Sequence, residues 1–215
     1  MKNQKIVIAA SALILVLAFI VGRNYYKGER EKEMGFLASE NIDLFIRDHS
    51  PTMGSDKAKV IIVEFLDPEC ETCRDFYPFV KKLMADNPGK IRLVLRYTPF
   101  HQNAKFVIRI LEAARKQGKF WESLGILFKY QSNWGGHHNP RPELVWDYLP
   151  MVGVNVEKIK DDMNNPATEK IIEQDITDGR KLKVQATPTF FINGKPLKSF
   201  GYRQLQEAVE AELSI

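Results

Sequence analysis

Two cysteines separated by two residues are the part of this sequence best suited to chemistry. Cys70 and Cys73 are the only cysteines among the 215 residues, so the chain cannot contain a framework of several structural disulfides. The apolar run 60–66 before them predicts a buried β-strand, and apolar residues from Phe76 to Met84 recur at the spacing of a helix. The pair therefore lies where a strand passes into a helix, and it either performs redox chemistry or binds something.

The position of Cys70 at the start of a helix favours its negatively charged form. The first N–H groups of a helix have no partner within it, and the helix dipole adds positive potential there. We therefore expect the pKa of the Cys70 thiol to fall below the value of about 8.5 for a free cysteine, and Cys70 to be the nucleophile. The spacing lets Cys73 close a disulfide with Cys70 and, by analogy, resolve a mixed disulfide with a substrate.

Binding of a metal or a haem is the alternative use of the same two thiols. A zinc site usually has four ligands, and the sequence has no second pair of cysteines. Attachment of a c-type haem requires histidine directly after the second cysteine, where this chain has Arg74. A copper-handling module that uses Cys70 and Cys73 stays open as an alternative. The redox interpretation requires no metal and no cofactor beyond a redox-active Cys70–Cys73 disulfide.

The elements around the pair predict an α/β fold. Residues 91–97 form a second apolar strand, and residues 101–183 are dominated by helical patterns. Residues 189–200 predict a hairpin with an Asn-Gly turn, and a closing amphipathic helix follows from Leu205 to Leu213. The order is βαβ, a helical segment, then ββα. We predict a thioredoxin-like fold at residues 50–215, with a helical domain inserted at about 101–183.

Three stretches of sequence carry a resemblance to a known family. They read VEFLDPECETC, RYTPFHQNAKFVIRILEAARKQGKFWESL and VQATPTFFING. From residue 50 onward, the chain resembles the DsbA-like thioredoxin proteins, which are oxidoreductases of the bacterial envelope. The resemblance implies that the protein oxidises, isomerises or reduces cysteines of exported proteins. It also implies a membrane redox partner that reoxidises or reduces the CxxC pair.

The resemblance assigns roles to residues outside the CxxC pair. Relatives have a cis proline against the active site, and the residue before it presents its backbone to the peptide substrate. These positions are Pro188 and Thr187 in this chain. Relatives also keep a buried acid six residues before the first cysteine, as a proton relay for the second. Glu64 has this position, in the otherwise apolar strand 60–66.

The residues between and beside the cysteines depart from the pattern of strongly oxidising relatives. Those relatives have histidine directly before the second cysteine, where this chain has Thr72. Glu71 adds a carboxylate beside the attacking sulfur, and further acids occur at Asp67, Glu69 and Asp75. Because negative charge opposes formation of a thiolate, Glu71 is expected to make the disulfide less oxidising. Thr72, in place of the histidine of strongly oxidising relatives, is expected to have the same effect.

The N-terminal region predicts an uncleaved membrane anchor. The run 6–22 contains no charged residue, and as a helix it would span about 25 Å, near the short limit for crossing a bilayer. Its exit has no small-x-small cleavage site of a signal peptide. We therefore expect an anchor at residues 1–26 and a linker at 27–49. A lone thiol pair is most useful on the oxidising side of a membrane, so the C-terminal domain is expected on the periplasmic side of a bacterial inner membrane.

The charge distribution argues against a nucleic-acid partner. The formal net charge is +4, and residues 1–32 carry six basic and two acidic side chains, which accounts for the whole excess. The remaining chain is therefore neutral and lacks the basic patch of a phosphate-binding surface. The basic flanks of the N-terminal run suit a membrane surface instead.

Overall fold

The computed structural model describes residues 12–26, 28–29, 33, 44–136, 139–197 and 199–215. Residues 12–26 form an exposed helix. The first part of the predicted anchor, residues 1–11, and most of the predicted linker lie outside the described residues. Within the described ranges, no helix is both long and apolar enough to cross a membrane.

A five-stranded mixed sheet forms the centre of the protein. Its strands lie in the order β1-β3-β2-β4-β5, and they are Thr52–Met53 (β1), Val60–Leu66 (β2), Ile91–Tyr97 (β3), Thr189–Ile192 (β4) and Lys195–Pro196 (β5). β2 and β3 are parallel, and each of the other neighbouring pairs is antiparallel. β2 is apolar on both faces because helices and chain segments cover both sides of the sheet.

Helices connect the strands as the sequence order predicts. α1 (Glu71–Asp86) joins β2 to β3, and α8 (Tyr202–Ser214) follows β5. Between β3 and β4 lie α2 (Ala104–Arg115), α3 (Phe120–Lys129), α4 (Gln131–Trp134), α5 (Val145–Tyr148), α6 (Val156–Asp162) and α7 (Pro166–Lys181), with 3₁₀ turns at Pro142–Leu144 and Leu149–Val152. This arrangement is a thioredoxin-like α/β fold with a helical segment between β3 and β4.

The alternation of side chains along β2 decides which residues meet the active site. Val60 and Ile62 point to the face covered by α1 and α8, whereas Val63 and Phe65 point to the opposite face. Glu64 follows the same alternation as Ile62, and it pairs in register with Leu95 on one side and Phe190 on the other. Its carboxyl group is therefore directed to the face on which α1 carries the two cysteines.

Two residues before the predicted domain start at residue 50 pack against the sheet. Leu44 and Phe45, which belong to the predicted linker, are buried in the cluster on the Phe65 face of the sheet. The ring of Phe45 lies 4.9 Å from that of Phe191 in β4. An apolar patch within the charged segment before residue 50 therefore covers part of the second face of the sheet.

A buried group of charges fastens this N-terminal segment. Arg96 in β3 is fully buried and binds Asp175 and Asp178 of α7, each at 2.7 Å. Arg47 binds Asp178 at 2.9 Å, and the Nε2 atom of His49 lies 2.7 Å from Asp175. Burial of these charges is tolerated because each has an opposite partner at hydrogen-bond distance.

Candidate active site

Cys70 lies at the junction of β2 and α1, where the sequence predicts it. It is the N-cap of α1, with an extended backbone, and its carbonyl accepts the N–H of Arg74 at 3.1 Å. Its own N–H donates to the carbonyl of Asp67 at 3.0 Å. The sulfur of Cys70 is therefore placed at the positive end of a 16-residue helix. Both cysteines are reduced in this structure.

The surroundings of Cys70 favour its thiolate. A hydrogen bond from the Cys73 thiol is the largest of the effects that lower the pKa of Cys70, from an ordinary value of 9.0 to about 5. Burial opposes this shift, while the Thr187 side chain and the backbone N–H groups of Thr72 and Cys73 support it. The backbone N–H groups at the helix start thus contribute to the lowered pKa of Cys70, but the Cys73 side chain contributes most.

Cys73 has the opposite character. Its side chain has no exposed surface, and this burial raises the pKa of the Cys73 thiol well above its usual value. The hydrogen bond that Cys73 donates to Cys70 and the negative charge of Glu64 act in the same direction. At neutral pH one thiol of the pair is therefore ionised, and the other stays protonated until a base removes its proton.

Glu64 is a carboxyl group whose charge is coupled to this second thiol. The side chain is fully buried, and neither carboxylate oxygen has a hydrogen-bond partner among the described residues. Burial, followed by the negative charge of Cys70, raises the pKa of Glu64 from 4.5 to about 8. A carboxyl group that titrates near neutrality and is coupled to both cysteines is suited to proton transfer.

Thr187 and Pro188 lie against Cys70. Their peptide bond is cis, and the Thr187 carbonyl lies 3.3 Å from the Cys70 sulfur, where it accepts a hydrogen bond from the thiol when Cys70 is protonated. Pro188 is buried and Thr187 is half-buried, so the backbone before β4 lines the approach to the nucleophile. An extended peptide that reached Cys70 would meet this backbone.

The acidic side chains at the start of α1 are exposed to solvent. Glu71 and Asp75 are exposed, and Asp75 binds Arg74 at 2.9 Å, so solvent and a neighbouring cation screen their charges. Thr72 is half-buried and contributes its backbone N–H to Cys70. The pKa of Cys70 is low in spite of the crowding of acids in the sequence.

The two remaining acids have structural partners that sequence reasoning missed. Asp67 is fully buried and binds the Nδ1 atom of His101 at 2.8 Å. Glu69 accepts hydrogen bonds from the backbone N–H and the side-chain amide of Asn103, at 2.7 and 2.8 Å. Buried acids require hydrogen-bond partners, but the burial of Asp67 and Glu69 is known only from the structure.

Gln131 is a further residue that sequence reasoning missed. It lies at the start of α4, is almost fully buried, and donates from Nε2 to the carbonyls of Pro68 and Cys70 at 2.9 and 3.0 Å. The helical segment thereby holds the turn that carries the nucleophile. A lone glutamine among apolar residues gives little signal in sequence, because its partners are backbone atoms about 60 residues away.

The fold and the site together define a class of protein. An ionised thiol at a helix start, a protonated thiol behind it, a buried carboxyl beneath them and a cis proline opposite them are the arrangement of thioredoxin-fold proteins that exchange thiols and disulfides. No group of three or more His, Cys, Asp or Glu residues in the described ranges is arranged to hold a metal ion.

Comparison with known proteins agrees with this class. A family profile described as Thioredoxin matches residues 47–211. The Disulfide bond formation protein D of Bacillus subtilis is 27% identical over 179 residues, which are 76% of this chain and 77% of that protein. The crystal structure of oxidised BdbD from Bacillus subtilis superposes with a TM-score of 0.68 and 26% identity, over 77% of this chain and 94% of that one. This chain belongs to the thioredoxin family and is similar to its DsbA-like members.

Another similar group of proteins is much longer than this chain. The Na(+)/H(+) antiporter NhaA of Herminiimonas arsenicoxydans is 29% identical over 204 residues, which are 92% of this chain but 31% of the antiporter. This chain therefore spans about a third of the length of that relative.

Proposed function

We propose that this protein is a thiol–disulfide oxidoreductase that acts on cysteines of exported proteins. The observation that carries the proposal is the difference between its two thiols: the pKa of Cys70 is lowered to about 5, and that of the buried Cys73 is raised. Thiolates attack disulfides and thiols do not, so only Cys70 is ready to react at neutral pH. The name of the Bacillus subtilis relative, a disulfide bond formation protein, supports the same activity.

In the oxidising direction, a substrate thiolate attacks the Cys70 sulfur of the Cys70–Cys73 disulfide. The bond between the two cysteines breaks, and Cys73 leaves as a thiolate that takes a proton from Glu64. A second substrate thiolate then attacks the substrate sulfur of the mixed disulfide and releases Cys70 as a thiolate. The substrate loses two electrons and gains a disulfide, while the CxxC pair is reduced.

The reducing direction uses the same groups in reverse. The Cys70 thiolate attacks a substrate disulfide, and Glu64 removes the proton of Cys73 so that Cys73 attacks Cys70 and releases the reduced substrate. Burial makes Cys73 a poor acid, and the pKa of Glu64 is raised to about 8, so the carboxylate is a strong enough base to assist. Repeated turnover requires a redox partner in the membrane, which reoxidises or reduces the pair.

Thr187 and Pro188 are proposed to hold the substrate. The carbonyl of Thr187 lies 3.3 Å from the Cys70 sulfur, so a peptide bound to this backbone would carry its cysteine to the nucleophile. Main-chain hydrogen bonds of this kind accept many sequences, since they do not read side chains. A broad range of exported proteins as substrates follows from that chemistry.

Activity assays and metal titration separate this function from copper handling. Reduced Cys70–Cys73 protein should catalyse the reduction of insulin by dithiothreitol or, after oxidation, the refolding of a reduced protein. The Cys70→Ser variant should lose both activities. If the wild-type protein catalyses neither reaction but binds copper(I) through both thiols in titration, the copper module is the better description.

The membrane location is proposed from the uncharged run 6–22. We expect the full chain to stay in the membrane fraction after an alkaline wash, because a hydrophobic anchor resists extraction that removes peripheral proteins. A variant without residues 1–26 should become soluble and keep its exchange activity. A wild-type protein found in the soluble fraction, with a mature N-terminus after residue 22, would show that the segment is a cleaved signal peptide.

The reduction potential should be intermediate for this class. The pKa of Cys70, about 5, lies between the thioredoxin value near 7 and the DsbA value near 3.5. We therefore expect a potential between about −270 and about −120 mV, measured by equilibration with glutathione. Thr72→His should raise it, since histidine adds positive charge beside the Cys70 thiolate, whereas the neutral Thr72→Asn should change it little. A wild-type value at either end of the range would contradict the expectation.

A further inference from the structure

A histidine–carboxylate pair lies beside the nucleophile and has no part in the mechanism above. The Nδ1 atom of His101 is 2.8 Å from Oδ2 of Asp67. Asp67 is fully buried, and its carboxylate also accepts the backbone N–H groups of Glu69, Phe100 and His101, at 2.8, 2.7 and 2.9 Å. These hydrogen bonds fix the position of the Asp67 side chain, which in turn holds the His101 ring in one place.

The same pair fastens the turn that carries Cys70. The Asp67 carbonyl accepts the Cys70 N–H at 3.0 Å, and Glu69 binds Asn103 two residues beyond His101. The turn 67–70 and the turn 100–103 are thus joined by two buried carboxylates. The His101 ring keeps 26% of its surface exposed, so it can exchange protons with solvent.

The negative charges of Asp67 and Glu69 near Cys70 require a compensating positive charge. Asp67 and Glu69 are negative groups within three residues of Cys70, and without compensation they would oppose its thiolate. The nearest basic residue on α1, Arg74, is bound to Asp75. His101 is the basic side chain bound to one of these two carboxylates, and it interacts electrostatically with Asp67, Cys70 and Glu69.

The electrostatic coupling between His101 and Cys70 supports this arrangement. Burial lowers the pKa of His101, but the hydrogen bond to Asp67 and the negative charges of Asp67, the Cys70 thiolate and Glu69 outweigh it, and the pKa of His101 is raised. Coupling is reciprocal: a thiolate that favours the imidazolium is itself favoured by the imidazolium.

We propose that His101, protonated and held by Asp67, is a positioning residue that supplies the positive charge stabilising the Cys70 thiolate. The sequence lacks a histidine between the two cysteines, where Thr72 stands, and His101 provides a cation from the turn after β3 instead. Because His101 can lose its proton, the reactivity of Cys70 becomes dependent on pH. This inference rests on the proposed function, since it concerns the nucleophile of that reaction.

The protein contains a matched control for this histidine. His49 is bound to buried Asp175 at 2.7 Å and is 21% exposed, so its pairing and exposure resemble those of His101. It belongs to the charge cluster around Arg96, whose guanidinium lies over the Phe65 ring on the other face of the sheet. If loss of any histidine–aspartate pair disturbed the protein in general, variants of His101 and of His49 would both show the effect. A specific effect on the Cys70 thiolate would appear only in the His101 variant.

The experiment follows the Cys70 thiolate by its absorbance near 240 nm as reduced wild-type, His101→Gln, His101→Lys and His49→Gln proteins are titrated. We expect His101→Gln to raise the apparent pKa of Cys70 and to slow its alkylation at pH 5 by about three- to tenfold. His101→Lys should stay closer to wild type, because it keeps the charge, and His49→Gln should match wild type. If the Cys70 thiolate titrates at the same pH in His101→Gln and in wild type, the proposal is overturned, and His101 only stabilises the local structure.

A measurement on the unmodified protein keeps the proposal testable if a variant fails to fold. The imidazole pKa of His101, followed by NMR, should be higher in the reduced protein than in the disulfide form, since only the reduced form has the thiolate. The imidazole of His49 should titrate alike in both. Equal His101 values in the two forms would refute the proposal. Lack of exchange activity in the wild-type protein would instead refute the proposed function, because the titrations do not require catalysis.

Discussion

Iodoacetamide at pH 7 should alkylate Cys70 at least about 100-fold faster than Cys73 in the reduced protein. The reactive species is the thiolate, and a pKa of about 5 leaves Cys70 almost fully ionised, whereas burial raises the pKa of Cys73 and keeps that thiol protonated at this pH. Complete burial of Cys73 further excludes the reagent. The measurement is a timed alkylation followed by mass spectrometry of peptides that separate the two cysteines.

Two variants of Cys73 test the cause of this reactivity. The hydrogen bond from Cys73 is the main effect lowering the pKa of Cys70, so Cys73→Ala should raise that pKa. Cys73→Ser keeps a donor at the same position and should preserve more of the shift. Equal alkylation of the two cysteines in wild type, or faster alkylation of Cys73, would show that the nucleophile has been assigned to the wrong residue.

Glu64→Gln should slow resolution of the mixed disulfide by about 100-fold and leave the first attack by Cys70 nearly unchanged. The factor is the lower end of what a positioned acid or base usually contributes. Cys70 does not need Glu64 because it is already ionised, whereas Cys73 must lose its proton before it can attack. Stopped-flow kinetics with a fluorescent disulfide substrate separates the two steps.

The pH dependence of the resolution step is the sharper observation. In wild type the rate should rise with pH around 8, as Glu64 loses its proton, and this inflection should vanish in Glu64→Gln. Glu173→Gln, at an exposed position in α7 that binds Lys105, is a matched control and should behave as wild type. An unchanged rate and pH profile in Glu64→Gln would mean that Cys73 loses its proton to water.

The same carboxyl group should make stability depend on pH. The pKa of Glu64 is about 8 in the folded protein and 4.5 as its ordinary value, so the folded protein binds this proton more tightly than the unfolded chain. Its contribution to the free energy of unfolding is complete below about pH 4.5 and is lost as the pH rises through about 8. The loss amounts to about 3 kcal/mol by pH 7, and Glu64→Gln should remove this slope in urea denaturation of the reduced protein.

The strand, the CxxC pair and the helix after it were predictable because their signals are local. A β-branched run indicates a buried strand, and the helix start indicates where a thiolate is stabilised whatever lies elsewhere. The burial of Glu64 was predictable for the same reason, since an acid within an apolar strand that is covered on both faces has no route to solvent. Resemblance to a family added Thr187 and Pro188, whose role no local pattern establishes.

Tertiary structure alone decided how the charges near the site are arranged. In sequence, Asp67 and Glu69 count as acids that oppose the thiolate, but in the fold each is hydrogen-bonded to residues 100–103, 34 positions along the chain. Gln131 reaches Cys70 across 61 positions. Periodicity and composition predict which residues are buried, but they do not predict which residues contact one another in the folded chain. The partner of a buried charge is therefore determined only when the chain has folded, and that partner sets the pKa on which the chemistry depends.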